Sequence, residues 1–410
     1  MRDVAVVGVG MTKFGKFLER SLKDLAGEAV RGALESAGID KSRIEVAVVG
    51  NATAGLITGQ EMIRGQVVLR ELGIGGIPVI NTENACASSS TAFHLGWLYV
   101  ASGLYDVALV VGMEKLTHED KRRSFQAIGA AVDVEWAQQV AARAREARKA
   151  EEERGPSFQE GAGEKRSMFM DFYAVWARRY MERSGATKED FARVAAKNLY
   201  HGSLNPKAQY GGEYTIEDIL NAPLVVEPLT RPMCSPISDG AAAAILVPAS
   251  RAREFTSKPV FVRASVLVSG RDRGQDEPGV TEEAARLAYE RAGVGPKELD
   301  VLEVHDASAP AELIIYEELG LCGQGEGPAL IRSGHTRLGG RQPVNTSGGL
   351  IAKGHPIGAT GVAQACEIFW QLRGEAGDRQ VEGAKVGLTE NGGGMIRGEA
   401  AALAVHIFSV

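Results

Sequence analysis

Two stretches of this chain follow the same order of residue types, and this repetition limits the possible folds more than any other feature. The first reads PVINTENACASSSTAFHLGWLYVASG from Pro78, and the second reads PVNTSGGLIAKGHPIGATGVAQACEIFWQLRG from Pro343. Each passes from Pro-Val through Asn-Thr and small residues to a reactive side chain and an apolar helix, and a predicted strand follows each. The pattern indicates a duplicated α/β unit. Two copies packed face to face would bring two helix N-termini, with Cys86 and His355, to a common centre.

Cys86 lies at the turn between a strand-like segment at 77–80 and a predicted helix at 91–102. Free backbone N–H groups at a helix start lower the pKa of a thiol and favour the nucleophilic thiolate. Its neighbours in NACASSS are small, which leaves the sulfur accessible. Cys86 is therefore a candidate nucleophile. The alternative is a buried cysteine at the start of a helix of small residues.

His355 lies in the run GHPIGATG at 354–361. Glycines around it, Gly354 among them, allow a substrate to approach the main chain closely. The helical apolar spacing at 362–372 places the run at a helix N-terminus. A histidine so placed handles a proton or donates a hydrogen bond. The alternative is a Gly/Pro-rich turn that contains a histidine.

His305 follows a short apolar strand in the segment VLEVHDAS at 301–308. The carboxyl ends of strands are where α/β sheets hold their functional groups, so His305 is a third candidate. A structural histidine with satisfied hydrogen bonds is the alternative.

Composition excludes several classes of protein. The chain has 410 residues and 50 glycines, enough for two fused α/β domains, and its net charge of -6 argues against nucleic acid as a partner. Its four cysteines show no paired spacing, which predicts neither a disulfide framework nor a metal site and favours a reducing compartment. We find neither a signal peptide nor an apolar segment of membrane-spanning length, so we expect a cytoplasmic protein without membrane contact.

These motifs, in this order over essentially the whole chain, resemble those of the thiolase superfamily. The resemblance extends from VAVVGVGMTKFGK through NACASSS, PLTRPMCSPISDGAAAAILV and GGLIAKGHPIGATG to LTENGGGM. The segment VHDAS is similar to the HDCF-type motif of the sterol carrier protein thiolase branch. The resemblance implies an α/β thiolase fold, a duplicated five-layered αβαβα arrangement with an inserted loop domain over the coenzyme A site.

The resemblance also implies roles for single residues. By it, Cys86 accepts the acyl group, His355 activates Cys86, and His305 helps to bind the thioester oxygen of the second substrate. The glycine run Gly392-Gly393-Gly394 matches the loop whose backbone amide, with the N–H of Cys86, forms an oxyanion hole, and Gly392 and Gly393 are the residues assigned to it.

Two further positions are carried over as contacts to the substrate. Ser235 lies where the family places a serine against pantetheine. Gly354 precedes the catalytic histidine and is assigned to substrate binding on the same grounds.

The chain departs from the family at the second acid/base, which is usually a cysteine. The HDCF cysteine is replaced by Ala307, and the C-terminal motif reads Thr-Glu-Asn-Gly with Glu390 and Asn391. A carboxyl group with a raised pKa could transfer the proton instead, which makes Glu390 a candidate beside Asn391. Asp306 is a further candidate, or it orients His305.

The predicted organisation follows the duplication. Residues 1–118 with 226–257 form the first half, 119–225 the loop domain, and 258–410 the second half. A first-half helix is predicted at 22–37.

Two helices are predicted within the loop domain. The charged one at 136–153 is interpreted as a solvated helix. The one at 167–183, rich in aromatics and arginines, is either a core-facing helix or a tunnel wall whose arginines reach the phosphates of coenzyme A.

The sequence therefore predicts a thiolase-like acyltransferase that acts on acyl-CoA or 3-oxoacyl-CoA thioesters through a cysteine acyl-enzyme, by Claisen condensation or thiolysis. Coenzyme A enters as part of the thioester substrate, and no covalently bound cofactor is expected. By resemblance we expect a homodimer or tetramer. A carbon–carbon lyase of acyl-CoA esters, working with an OB-fold, zinc-containing partner protein, is one alternative, and a non-catalytic acyl-CoA or lipid binder is another.

Overall fold

The structure, a computed structural model, describes residues 1–139, 166–274 and 277–410. Its main strands are β1 Val4–Met11, β2 Val46–Gly50, β3 Val79–Thr82, β4 Ala108–Glu114, β5 Leu224–Val226, β6 Leu229–Thr230, β7 Gly240–Pro248, β8 Val260–Ser269, β9 Val301–Glu303, β10 Val386–Ile396 and β11 Glu399–Ser409. One mixed sheet has the order β3-β2-β4-β7-β1-β8-β11-β10-β9, and β5 pairs with β6 separately.

The central strands are runs of small and β-branched residues that helices cover on both faces. β1 reads VAVVGVGM and β7 reads GAAAAILVP, and every residue of both strands is buried. Strands covered on both faces read as continuous apolar runs instead of alternating. β1 also joins the two halves of the sheet, because it pairs antiparallel with β7 on one side and with β8 on the other.

The described helices are α1 Leu22–Ala37, α2 Ala54–Thr58, α3 Arg64–Glu71, α4 Ser88–Ser102, α5 Lys121–Gly129, α6 Met168–Ser184, α7 Lys188–Ser203, α8 Ile216–Leu220, α9 Val280–Ala292, α10 Ala309–Glu318, α11 Gly327–Arg332, α12 Gly349–Ala352 and α13 Thr360–Arg373. α1 has the predicted bounds. A capping box between Ser21 and Asp24 starts it, and Gly38 ends it in the left-handed conformation.

The helices form three layers around the two halves of the sheet. α1 packs on the outer face of the first half, and α9 covers the outer face of the second. α4 and α13 pack against each other between the halves, in a core that both halves share. This is the predicted five-layered arrangement, and it places the N-termini of α4 and α13 side by side in the middle of the protein.

Two of the other predicted helices are observed with small shifts. The helix predicted at 91–102 begins at Ser88, directly after a 3₁₀ turn at Ala85–Ala87. The helix predicted at 167–183 is α6. The helix predicted at 136–153 lies mostly outside the described residues.

The chain between β4 and β7 packs against the second half of the sheet. Buried residues of α6 and α7 share a core with α10 and with strands β8–β11. None of the described helices combines the length and the apolar character needed to cross a bilayer.

Candidate active site

Cys86 lies in the 3₁₀ turn that precedes α4, so its backbone N–H faces the same side as the first turn of that helix. The residue before it, Ala85, has a φ of 47°, a left-handed conformation that is uncommon for a residue with a side chain. Strained backbone of this kind clusters at functional sites. The turn leaves Cys86 half-buried and on the wall of a large cavity.

His355 meets Cys86 across the centre of the protein, as the duplication predicts. Its Nε2 lies 3.3 Å from the Cys86 sulfur, although the two residues are 269 positions apart. Its Nδ1 lies 2.7 Å from the hydroxyl of Thr360, which donates its own proton to the carbonyl of Pro356. Nδ1 must therefore carry the proton of the neutral ring, and Nε2 is left as an acceptor that faces the thiol.

The electrostatics of this pair differ from the expectation for a cysteine at a helix start. Burial, followed by the charge of the nearby Glu114, raises the pKa of the Cys86 thiol to about 12. The opposing effect of backbone N–H groups is smaller. Burial, followed by His305 and Lys353, holds the pKa of His355 well below its ordinary value. The expected resting thiolate is therefore wrong, because a neutral thiol faces a neutral imidazole that can accept its proton.

His305 lies in the same cavity, and Asn391 orients its ring. Asn391 accepts a hydrogen bond from the Ser90 hydroxyl at 2.7 Å through Oδ1, which leaves its Nδ2 to donate to Nδ1 of His305 at 2.8 Å. Burial lowers the pKa of His305 to about 4, so the ring is neutral. Nε2 of His305 must then carry the proton and offer it to the cavity. The rings of His305 and His355 are 5.2 Å apart.

The backbone N–H groups that face the Cys86 sulfur come from the turn itself and from β10. The N–H groups of Gly394 and Cys86 lie close enough to the sulfur to lower the pKa of the Cys86 thiol. Gly394 has a φ of 65°, which only glycine adopts without strain, and it is left out of the ladder between β10 and β11. All three glycines of the run line the cavity, and Gly392 and Gly393 pair with β11. Gly394 is therefore the member of the run whose backbone faces Cys86.

Glu390 is a carboxyl group on the cavity wall beside His305. Its side chain is buried and accepts a hydrogen bond from the backbone N–H of His305 at 2.9 Å. Burial raises its pKa to about 8, and Glu318 contributes to the rise. Ala307 also lines the cavity, so the family's cysteine position faces the reacting groups here as well.

Asp306 is excluded as the second acid/base. Its carboxylate accepts hydrogen bonds from the N–H of Leu350 at 2.6 Å and from the Asn198 side chain at 2.7 Å. It is buried away from the cavity and does not contact the His305 ring, so neither suggested role for Asp306 holds.

The cavity has a volume of about 1160 Å³ and is large enough for an extended ligand. Ser235 lines it, and the Ser235 N–H donates to the carbonyl of Ala307 at 3.0 Å. Gly354 is absent from the walls. Its φ of 109° serves the turn that carries His355 rather than a contact to substrate.

α6 is both a core helix and a cavity wall, so the two interpretations of its sequence are not exclusive. Met170, Tyr173 and Tyr180 are buried and also line the cavity. Arg179 and Arg183 of the same helix line the cavity too.

Glu114 is the residue of this site that the sequence interpretation did not identify. It is fully buried at the end of β4 and accepts hydrogen bonds from the N–H groups of Ala52, Thr53 and Gly358. It thereby ties the loop after β2 to the turn before α13, next to Cys86. Its position at the carboxyl end of a buried strand is the sequence feature that could have identified it as a residue of the site.

Cys86, His305 and His355 also satisfy a geometric criterion for a metal site. Their ligand atoms all lie within 4.8 Å of one another. Two of these groups face each other as proton donor and acceptor, so their arrangement is explained without an ion. The absence of a metal stays a prediction.

Two family models match this chain and together cover most of it. The model described as "Thiolase, N-terminal domain" matches residues 4–250, and the one described as "Thiolase C-terminal domain-like" matches 277–406. The chain belongs to the thiolase family. The predicted family, its fold and an acyltransferase activity on coenzyme A thioesters are thereby confirmed at this level.

Several curated thiolase relatives align over the full length. An "Acetyl-CoA acetyltransferase" of Methanothermobacter thermautotrophicus is 42% identical and covers 100% of both chains. The "Benzoylsuccinyl-CoA thiolase subunit BbsB" of Thauera aromatica is 37% identical over 97% of this chain and 96% of its own. Human "Sterol carrier protein 2" is 36% identical, with 95% of this chain and 70% of that protein covered.

Solved structures share the thiolase fold. The structure described as "Ltp2-ChsH2(DUF35) aldolase" superimposes with a TM-score of 0.76 at 24% identity, over 100% of this chain and 98% of the other. Human mitochondrial 3-ketoacyl-CoA thiolase in complex with CoA gives 0.70 at 17% identity, with the same coverage.

Proposed function

We propose that this thiolase transfers acyl groups through a covalent acyl-enzyme on Cys86, with Claisen condensation and its reverse, thiolysis, as the overall reaction. The observation that carries the proposal is the 3.3 Å contact between the Cys86 sulfur and an unprotonated ring nitrogen of His355 at the wall of a large cavity. A nucleophile within reach of a base that a third group orients is the arrangement that covalent catalysis requires. Thr360 is that third group.

In the first half-reaction, His355 takes the proton of the Cys86 thiol as the sulfur attacks the thioester carbonyl. The N–H groups of Cys86 and Gly394 face this position and stabilise the oxyanion that forms. The carbon–sulfur bond to coenzyme A then breaks. His355 returns its proton to the departing thiolate, which leaves as coenzyme A thiol.

In the second half-reaction, another acyl-CoA binds with its thioester oxygen against Nε2–H of His305. The Glu390 carboxylate removes a proton from the α-carbon, and the resulting carbanion attacks the acyl group on Cys86. Cleavage of the bond to sulfur releases the 3-oxoacyl-CoA. Glu390 gives up the proton that it took from the α-carbon, and one proton returns through His355 to the Cys86 thiolate, which restores both groups. Thiolysis runs these steps in reverse, with Glu390 as the proton donor.

The cavity walls fit a coenzyme A thioester. Basic side chains that line the cavity, Lys16, Lys121, Arg179 and Arg231, suit the phosphates of the nucleotide part. We assign Ser235, which lines the cavity beside Ala307, to a hydrogen bond with the pantetheine arm.

Trapping of the acyl-enzyme tests the proposal. After incubation with acetyl-CoA, peptide mass spectrometry should find one acetyl group on the peptide that contains Cys86 and none on the peptides of Cys234 or Cys366. The variant Cys86→Ser should show no thioester-linked acetyl group. A label on another cysteine, or no label in a folded protein that binds coenzyme A, would contradict the mechanism. The second result would favour a non-catalytic acyl-CoA binder.

A second candidate keeps the cavity but changes the reaction to carbon–carbon bond cleavage of a 3-hydroxyacyl-CoA ester. The observation that favours it is the absence of sulfur at both Ala307 and Glu390. A base such as Glu390 could remove the hydroxyl proton, and His305 could stabilise the enolate formed on cleavage. An OB-fold, zinc-containing partner protein belongs to this candidate. Release of an aldehyde or ketone from a 3-hydroxyacyl-CoA, retained in Cys86→Ser, would support it over the acyltransferase.

We further propose a homodimer or tetramer built through the first half of the chain, where β3 forms a sheet edge. Light scattering during size-exclusion chromatography measures the assembly. The division into residues 1–118 with 226–257, 119–225 and 258–410 and a cytoplasmic location are retained as predictions.

A further inference from the structure

One face of α10 forms a wall of the cavity and leads away from the reacting groups. Ala311, Ile314, Ile315 and Glu318 line the cavity, and their spacing of three, four and seven residues is that of a single helical face. Ala307, two residues before the helix, also lines the cavity and continues this wall towards His305. From Ala311 to Glu318 the helix rises about 10 Å at 1.5 Å per residue, and the wall ends with a carboxyl group.

The opposite wall follows β11 over a similar distance. Leu403 pairs with Gly392 near the reacting groups, and the cavity then passes Ala400 to reach Glu399. Four residues of strand extend about 14 Å. The cavity therefore continues from the acylation site into a channel with apolar walls and a polar far end, and we call this part the acyl channel.

The polar end has more acidic than basic groups. Glu318 lies beside Thr281, and Glu282 and Glu399 add negative charge around it. Arg273 forms an ion pair with Glu399, and its positive charge also acts on Glu318. Burial raises the pKa of Glu318 to about 7. The end of the channel thus offers a carboxyl group among two further carboxylates and a single guanidinium group.

We infer that the acyl channel selects thioesters whose acyl group carries a hydrogen-bond donor, a hydroxyl or an ammonium group, at its far end, and that Glu318 receives this donor. The inference deepens the proposed function and rests on it. An unsubstituted alkyl chain of the same length would cover Glu318 without a partner, which costs the desolvation free energy of a carboxyl group. A terminal carboxylate would meet like charge there.

A competition between matched thioesters tests this inference in the unmodified protein. Four acyl-CoA series of graded length, ending in methyl, hydroxyl, ammonium or carboxylate, compete pairwise for acylation of Cys86, and mass spectrometry reports the adducts. At the length that reaches Glu318, we expect a chain ending in hydroxyl or ammonium to react about ten-fold or more in preference to methyl. We expect the carboxylate to react least. Equal reaction of all four, or preference for methyl or carboxylate, overturns the inference.

Two variants assign the effect to its residue. Glu318→Leu should remove the preference for hydroxyl over methyl, whereas Glu290→Leu, on the exposed side of α9, should leave it unchanged. Acylation by acetyl-CoA, too short to reach the polar end, should proceed in both variants and reports intact folding. If acetyl-CoA labels Cys86 but Glu318→Leu keeps the full preference, the inference fails while the proposed function stands. If no thioester labels Cys86 in the unmodified protein, the proposed function fails and this inference with it.

Discussion

Nδ2 of Asn391 lies 2.8 Å from Nδ1 of His305, and this one contact determines which ring nitrogen of His305 presents a proton to the cavity. Because Oδ1 of the same amide is occupied by the Ser90 hydroxyl, the amide cannot turn to accept from the ring. Nε2–H is therefore directed at the substrate. This geometry suits Asn391 to a positioning role, whereas the sequence had named it a catalytic candidate beside Glu390.

Asn391→Asp should reverse this arrangement. A carboxylate can only accept, so Nδ1 of His305 would take the proton and Nε2 would lose it as a donor. We expect kcat/KM for condensation to fall by about 10²-fold, the typical loss for one oxyanion donor, with a smaller effect on acylation of Cys86. Asn221→Asp, exposed at the end of α8, is the control for charge. Equal rates of condensation in Asn391→Asp and the unmodified protein would contradict the role.

His355→Ala should slow alkylation of Cys86 by iodoacetamide at neutral pH by about ten-fold or more. Burial keeps this thiol protonated, so its reactivity depends on a proton acceptor 3.3 Å away. Alkylation is quenched at successive times, and peptide mass spectrometry then gives the rate of modification at Cys86 alone. His335→Ala is the matched control, and unchanged alkylation in a folded His355→Ala protein would remove His355 from the mechanism.

Glu390→Gln should separate the two half-reactions. Acylation of Cys86 should persist, while condensation should fall by about 10²- to 10⁴-fold, the usual effect of losing one acid/base. In the unmodified protein, the condensation rate should rise with pH towards about 8 as Glu390 loses its proton. The variant should lack this rise. A pH profile with the same inflection in both proteins would assign the base to another group.

Glu390 should also make stability depend on pH. Its pKa of about 8 in the folded protein lies above the ordinary value of 4.5, so the folded state holds a proton that the unfolded state releases. The contribution of Glu390 to the free energy of unfolding is fully present below the pKa of the unfolded state and is lost as the pH rises through about 8. Between these two pKa values, the free energy of unfolding should fall by about 1.4 kcal/mol per pH unit. Urea unfolding over this range should show a smaller slope for Glu390→Gln, and identical slopes would refute the shift.

Ala307→Cys should raise acetoacetyl-CoA thiolysis, because it restores sulfur on the cavity wall where the sterol carrier protein branch has it. Ala311→Cys, one turn further along the same face, is the control and should have no such effect. The rate of coenzyme A-dependent cleavage measures both. If Ala307→Cys is inactive in this assay and Glu390→Gln is unimpaired, neither position handles the proton.

The sequence predicted those parts of the fold and site that depend on local patterns. The duplicated strand–turn–helix units located Cys86 and His355 and indicated their meeting across the chain. Apolar spacing and capping residues predict where a helix begins and ends to within a few residues, as for the helix at 22–37. Some residues to which the resemblance assigned a role, such as Ser235, lie in the cavity at positions consistent with that role. Their roles stay predictions.

Other features depend on contacts between distant segments, and the sequence could not supply them. The pKa of Cys86 follows from burial and from Glu114, which overcome the helix-start effect expected from its neighbours. A local turn in β10 determines which glycine of the run at 392–394 leaves the ladder, and the sequence did not distinguish the three. Asp306 was misjudged because its partners, Leu350 among them, come from another loop.

The two proposed half-reactions would draw their groups from separate parts of the architecture, and this separation has an evolutionary consequence. Cys86 and His355, proposed for acylation, lie in the turns before the two central helices, whereas Glu390, proposed to move the second proton, lies on a cavity wall with Ala307. Exchange of one wall side chain can redirect the carbon chemistry while acyl capture is inherited intact. A scaffold arranged in this way can diversify into new reactions by single mutational steps, each starting from an enzyme that still holds its first substrate.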